Sequence, residues 1–213
     1  MSIYLHRQIV PDPTKVPSEE AMRRAAIPRR FHYPRLDGLP ATNPARLAVE
    51  GYLLNINEHL ERGKGVLLYG PLSSGKTVLA CIMLRYVLAY SSNHCWFEAA
   101  RRLESVMKDF RAVTAGGEPI KEVLCNSTFA VLDDVGQQKD SAETRLLTEY
   151  VIRERYDEMK PTFLTSNFTP AQLRLSLPGL QDVIEDSFVH IPVSGINWRL
   201  DAAHQPTAFA GAP

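Results

Sequence analysis

Between about residues 45 and 193 the chain alternates two hydrophobic patterns. The first is a short, nearly continuous apolar run, found at 65–69, 94–99, 128–132, 161–165 and 188–193. Runs of this length predict strands buried on both faces, as in a parallel sheet. The second is a longer segment with apolar residues three or four positions apart, which predicts helices. Ala48, Tyr52, Leu53, Ile56 and Leu60 make one such face after Asn43-Pro44, and Leu103, Val106, Met107 and Phe110 make another. Residues 76–90 read as a buried helix, and 120–124 and 142–158 as two further helical segments. Thr169-Pro170-Ala171-Gln172 has a capping-box pattern with proline at the first helical position, so a helix starts there too. Such alternation predicts an α/β fold, a parallel sheet with helices on both faces.

Seven of the fifteen prolines fall within the first 44 residues, which predicts an irregular extension rather than part of the core. Within it, Ser18–Ala26 forms a short capped helix before Pro28. The expected division is an N-terminal extension at 1–44, a core at 45–201 and a loose tail at 202–213. The extension is too short for a packed domain but long enough for a peptide that folds on a partner.

Lys+Arg and Asp+Glu balance at 24 each, so the field of the whole molecule steers it to no polyanion. Nucleic-acid contact then needs a local basic patch or several subunits. Cys81, Cys95 and Cys125 lack metal-ligand spacing and the six histidines are scattered, which points to free thiols and no zinc cluster. No apolar stretch reaches membrane-spanning length and the first residues lack the apolar segment of a signal peptide. The expectation is a cytoplasmic protein with no membrane contact.

One octet carries chemistry. Gly70-Pro71-Leu72-Ser73-Ser74-Gly75-Lys76-Thr77 fits the phosphate-binding pattern G-x-x-x-x-G-K-[ST], between a strand and a helix as the motif requires. Its glycines let the backbone turn so that N–H groups point inward as an anion nest. Val78 opens the helix whose N-terminus adds further donors and its dipole. Lys76 is suited to the β- and γ-phosphates and the Thr77 hydroxyl to Mg²⁺, so ATP and Mg²⁺ are the expected ligands.

Phe129-Ala130-Val131-Leu132-Asp133-Asp134 is a buried strand ending in two acids. Ligands gather at the carboxyl ends of parallel strands, so Asp133 is suited to Mg²⁺ and Asp134 to the attacking water. Pro161-Thr162-Phe163-Leu164-Thr165-Ser166-Asn167 is another strand with a polar tip. If it neighbours the acidic strand, Asn167 sits beside both aspartates. There its amide holds the water or a γ-phosphate oxygen, unless it is an ordinary turn cap.

These strand-end motifs resemble the AAA+ ATPases, a P-loop NTPase class, and within them the DnaC/IstB group of helicase-loader-like proteins. Leu68-Tyr69-Gly70-Pro71, Leu132-Asp133-Asp134-Val135-Gly136, and Arg155-Tyr156 before the Thr165-Ser166-Asn167 strand end carry the resemblance. So does Ala26-Ile27-Pro28-Arg29-Arg30-Phe31, similar to the segment leading into the ATPase core of this group. The resemblance implies that Lys76 and Thr77 belong to Walker A, Asp133 and Asp134 to Walker B, and Asn167 to sensor 1. Arg199 is either the C-terminal arginine that senses the γ-phosphate or a surface residue. Related ATPases place a helix that binds single-stranded DNA near 101–111. By that analogy Lys108 and Arg111 meet phosphates while Phe110 either stacks on a base or joins the core.

Two departures bear on function. The group supplies an arginine finger from about 179–188, and this stretch has acids and no arginine. Arg174, Arg155 or a partner then substitutes, or hydrolysis is slow and ATP acts as a switch. The N-terminal extension also falls short of the helicase-gripping domain of such loaders. The leading expectation is a loader that places a replicative DNA helicase on single-stranded DNA, oligomerising on ATP or partner binding. An IstB-like transposition helper is the nearest alternative, and a nucleotide-gated adaptor or inhibitor with little turnover is the third.

Overall fold

The computed structural model describes residues 15–90, 95–109, 112–114, 116–137 and 141–194. Among the described residues, five parallel strands form one sheet: β1 (Gly65–Tyr69), β2 (Cys95–Ala99), β3 (Phe129–Asp133), β4 (Thr162–Ser166) and β5 (Phe188–Pro192). Their spatial order is β2-β3-β4-β1-β5. The helices are α1 (Glu19–Arg24), α2 (Pro44–Leu54), α3 (Ile56–Glu61), α4 (Lys76–Tyr90), α5 (Leu103–Lys108), α6 (Ile120–Asn126), α7 (Ala142–Asp157), α8 (Pro170–Ser176) and α9 (Gln181–Asp186).

Alternate strand residues enter two separate cores, one on each face of the sheet. Val66, Leu68, Phe129, Val131, Phe163 and Ile191 pack with α2 and α4. Leu67, Ala130, Leu132 and Leu164 pack with side chains from α5 to α9. Burial on both faces explains why the strands read as continuous apolar runs. Caps set several helix starts where the sequence places them: Ser18 accepts from Ala21 N–H, Asn43 from Ala45 N–H, and Thr169 forms the full capping box with Gln172. The single long helix expected after Asn43 is broken at Asn55, whose side-chain amide turns back to the Gly51 carbonyl (2.9 Å).

The N-terminal stretch differs from its expected character. Met22, Ala25, Ile27 and Leu39 are buried in the same core as α4. Ala25 O accepts from Phe97 N–H of edge strand β2 (2.9 Å). Arg85 of α4 donates to Phe31 O (3.2 Å) and Pro34 O (2.6 Å). Proline interrupts periodicity but leaves single apolar side chains free to fill a core, which is why the pattern gave no warning.

Candidate nucleotide-binding site

The strand order sets the carboxyl ends of β3, β4 and β1 side by side, so the turns after Asp133, Ser166 and Tyr69 converge. Gly70 (φ +150°) opens the phosphate loop. A Cβ there would overlap the Val193 carbonyl oxygen, because Val193 N–H donates to Tyr69 O (2.8 Å) and brings the chain after β5 against the loop. Ser73 (φ +64°) and Gly75 (φ +96°) complete the turn into α4. Pro71 and Leu72 are exposed, Ser74 is buried, and Val78 packs half-buried on the core. The buried ammonium of Lys76 donates to Gly70 O (3.0 Å) and Pro71 O (2.7 Å). Desolvation holds Lys76 below its ordinary pKa, against the pull of Asp134 and Asp133.

Across the loop, Thr77 Oγ1 and Thr165 Oγ1 both donate to Asp133 Oδ1, each at 2.7 Å. Burial raises the Asp133 carboxyl above its ordinary value, opposed by the two hydroxyls. The Thr165 hydroxyl also accepts from Asp134 N–H (2.8 Å), and Val135 N–H donates to Thr165 O (2.8 Å). Ser166 Oγ donates to Val135 O (2.8 Å). The turn after β3 is thereby bonded along β4, with Asp134 in a left-handed conformation (φ +66°) that a non-glycine residue rarely adopts. This geometry turns the Asp134 carboxylate to Asn167, whose Nδ2 donates to Oδ1 at 3.3 Å; Gln137 Nε2 donates to the same oxygen. Asn167 Oδ1 is buried without a hydrogen-bond partner among the described residues.

Lys76, Thr77, Asp133, Asp134 and Asn167 are therefore brought together. Thr165, Ser166 and Gln137 are the site residues that sequence reasoning passed over. Thr165 and Ser166 were visible as part of a polar strand tip, but their roles depend on β4 lying next to β3, which one sequence does not disclose.

Other candidates stand elsewhere. Arg199, Phe110 and Arg111 lie outside the described residues. Lys108 is exposed and bound to Glu104 (3.3 Å) and Glu143 (2.6 Å), so two carboxylates already neutralise it. Arg155 is fully buried and donates to Leu124 O, Ser127 O and Pro161 O (2.8 Å each) and to Thr162 Oγ1 (2.9 Å). It is a structural clamp and cannot serve as a finger for a neighbouring subunit. Arg174 is ion-paired with Glu185 of α9. No group of three or more His, Cys, Asp or Glu suited to a metal occurs among the described residues. None of the described helices is long and apolar enough to cross a membrane.

No protein-family profile matches the chain, and no curated protein matches it. Solved structures do. The DnaC helicase loader superposes with a TM-score of 0.64 at 24% identity, over 78% of this chain and 100% of that one. DnaI gives 0.64 at 20% identity, over 82% and 98%. The replication initiator DnaA bound to AMPPCP and single-stranded DNA gives 0.56 at 18%, over 73% and 49%. The chain has the AAA+ P-loop ATPase fold. Its architecture is similar to that of the DnaC helicase loader and DnaI.

Proposed function

We propose that the chain is an ATP-binding AAA+ protein that acts as a DnaC-type loader, helping to place a replicative DNA helicase on single-stranded DNA in the cytoplasm. The loader part is supported by the likeness in fold to the DnaC helicase loader and DnaI. The ATP-binding part is carried by the junction at Asp133, where the loop threonine Thr77 and the β4 threonine Thr165 meet on one carboxylate oxygen. A hydroxyl and a carboxylate oxygen this close, at the mouth of a phosphate loop, fit a hard cation such as Mg²⁺. Thr77 and Asp133 would hold such an ion, which would supply neutralisation of phosphate charge.

The rest falls to the chain itself. Loop N–H groups and the α4 N-terminus would hold the triphosphate, and Lys76, now on the Gly70 and Pro71 carbonyls, would turn to the phosphate oxygens. Asp134, held by Asn167 and Gln137, is suited to take a proton from the attacking water. The unpartnered Asn167 Oδ1 is an acceptor, which fits the O–H of that water better than a γ-phosphate oxygen.

The engaged state of Arg155 and Arg174 favours a second reading, a nucleotide-gated adaptor with little turnover. Steady-state ATPase of wild type and Lys76→Ala, alone, with single-stranded DNA and with the replicative helicase, separates the two. Slow turnover, raised by helicase or DNA and abolished in Lys76→Ala, is expected of a loader. Nucleotide binding with no turnover under any condition leaves the adaptor, and no nucleotide binding at all defeats both.

A further inference from the structure

A formal net charge of zero conceals an uneven distribution. Residues 21–36 contain Arg23, Arg24, Arg29, Arg30 and Arg35 and no acid. Arg24 and Arg35 are paired with Glu20 and Asp37. Arg23, Arg29 and Arg30 are exposed, and no salt bridge joins them to an acid among the described residues.

The backbone beneath these charges is fixed. Met22, Ala25 and Ile27 are buried, His32 Nε2 lies 2.9 Å from Ile27 O, and Arg85 bonds the carbonyls of Phe31 and Pro34 from below. Aromatic surface is interleaved with the arginines. The Arg30 guanidinium lies 4.8 Å from the Phe31 ring centroid, and Tyr33 is 62% exposed with its hydroxyl held by Glu19 (2.5 Å). Ala25 bonds to Phe97, and β2 ends two residues later, followed by the exposed Arg101. Arg101 also acts electrostatically on Asp133 of the candidate site.

We propose that this arginine ridge, with Arg23, Arg29 and Arg30 on the phosphates and Tyr33 beneath a base, is a docking surface for single-stranded DNA. Positive charge that tracks a backbone, joined to an exposed aromatic face, is the chemistry by which proteins hold single strands. A rigid mount lowers the ordering cost of each contact. The choice of single-stranded DNA rests on the loader reading above; the location of the surface does not. It also moves the nucleic-acid contact away from Lys108, which two glutamates neutralise.

The test is fluorescence anisotropy of a labelled oligo-dT with full-length wild type, with Arg23→Ala/Arg29→Ala/Arg30→Ala, and with the same three positions changed to Lys, across a salt series. The alanine variant is expected to bind about 10- to 100-fold more weakly near 0.1 M salt, and its log K against log salt slope to flatten by about two, from three lost phosphate contacts. The lysine variant should keep most of the affinity, and all three proteins should share one melting temperature. Equal binding by wild type and the alanine variant overturns the ridge. So does a failure of wild type to bind oligo-dT at all, while helicase-stimulated ATPase, measured separately, decides whether the loader reading survives. Loss of helicase stimulation with unchanged DNA binding also overturns it, and assigns the ridge to an acidic protein partner.

Discussion

At the scale of single residues, the site depends on carboxylates placed where water is scarce. Asp133 is buried beneath two threonine hydroxyls, and desolvation raises its pKa. A carboxyl whose folded pKa lies above its unfolded value binds protons more readily in the folded chain. Its contribution to stability is therefore fully present below the unfolded pKa and is lost as pH rises through the folded one. As pH rises toward neutral without metal, ionising Asp133 becomes a cost of folding that Asp133→Asn removes. The variant should melt higher than wild type at pH 7 in EDTA, the gap closing as pH falls toward the ordinary carboxyl range, and should lose Mg²⁺-dependent turnover. A lower melting point at pH 7 would show that the hydroxyl bonds outweigh desolvation.

At the scale of elements, the phosphate loop, its strand and its helix were legible because each fixed residue has a local job. The neighbouring elements were legible only in kind. Arg155 shows the limit: in sequence it is one of several charged residues on α7, yet it is fully buried and gathers the turn after α6 and the start of β4. Burial lowers its pKa to about 10, leaving it cationic at neutral pH, held by carbonyl dipoles. Arg155→Ala would strand three buried carbonyls and open a cavity, costing about 3–5 kcal/mol in urea unfolding. A loss under about 1 kcal/mol would mean that water replaces the guanidinium without penalty.

At the scale of the whole molecule, residues 15–40 matter most. Their proline content suggests an irregular extension outside the core, whereas Met22, Ile27 and Leu39 are each at least 96% buried in the core shared with α4. Burying three such side chains stabilises by about 5–8 kcal/mol, comparable with the whole stability of a typical domain. A chain beginning at Asn43 should therefore unfold at much lower urea or fail to fold. Unchanged urea midpoints would restore the idea of a separate segment. A lowered midpoint would make the stretch that carries the ridge arginines structurally part of the same core as α4.

The sequence by itself determined the local chemistry: a loop with the phosphate-binding pattern between strand and helix, strands buried on both faces, caps that start α1, α2 and α8, and acids at one strand end. Each follows from residues adjacent in the chain, where spacing alone sets geometry. The tertiary structure decided what adjacency in space adds. Placing β4 between β3 and β1 turned Thr165 into the link between Asp133 and Asp134. Packing turned Arg155 from a candidate finger into a clamp, and two glutamates occupied Lys108. Those outcomes depend on strand order and long-range packing, and hydrophobic periodicity carries no information about either.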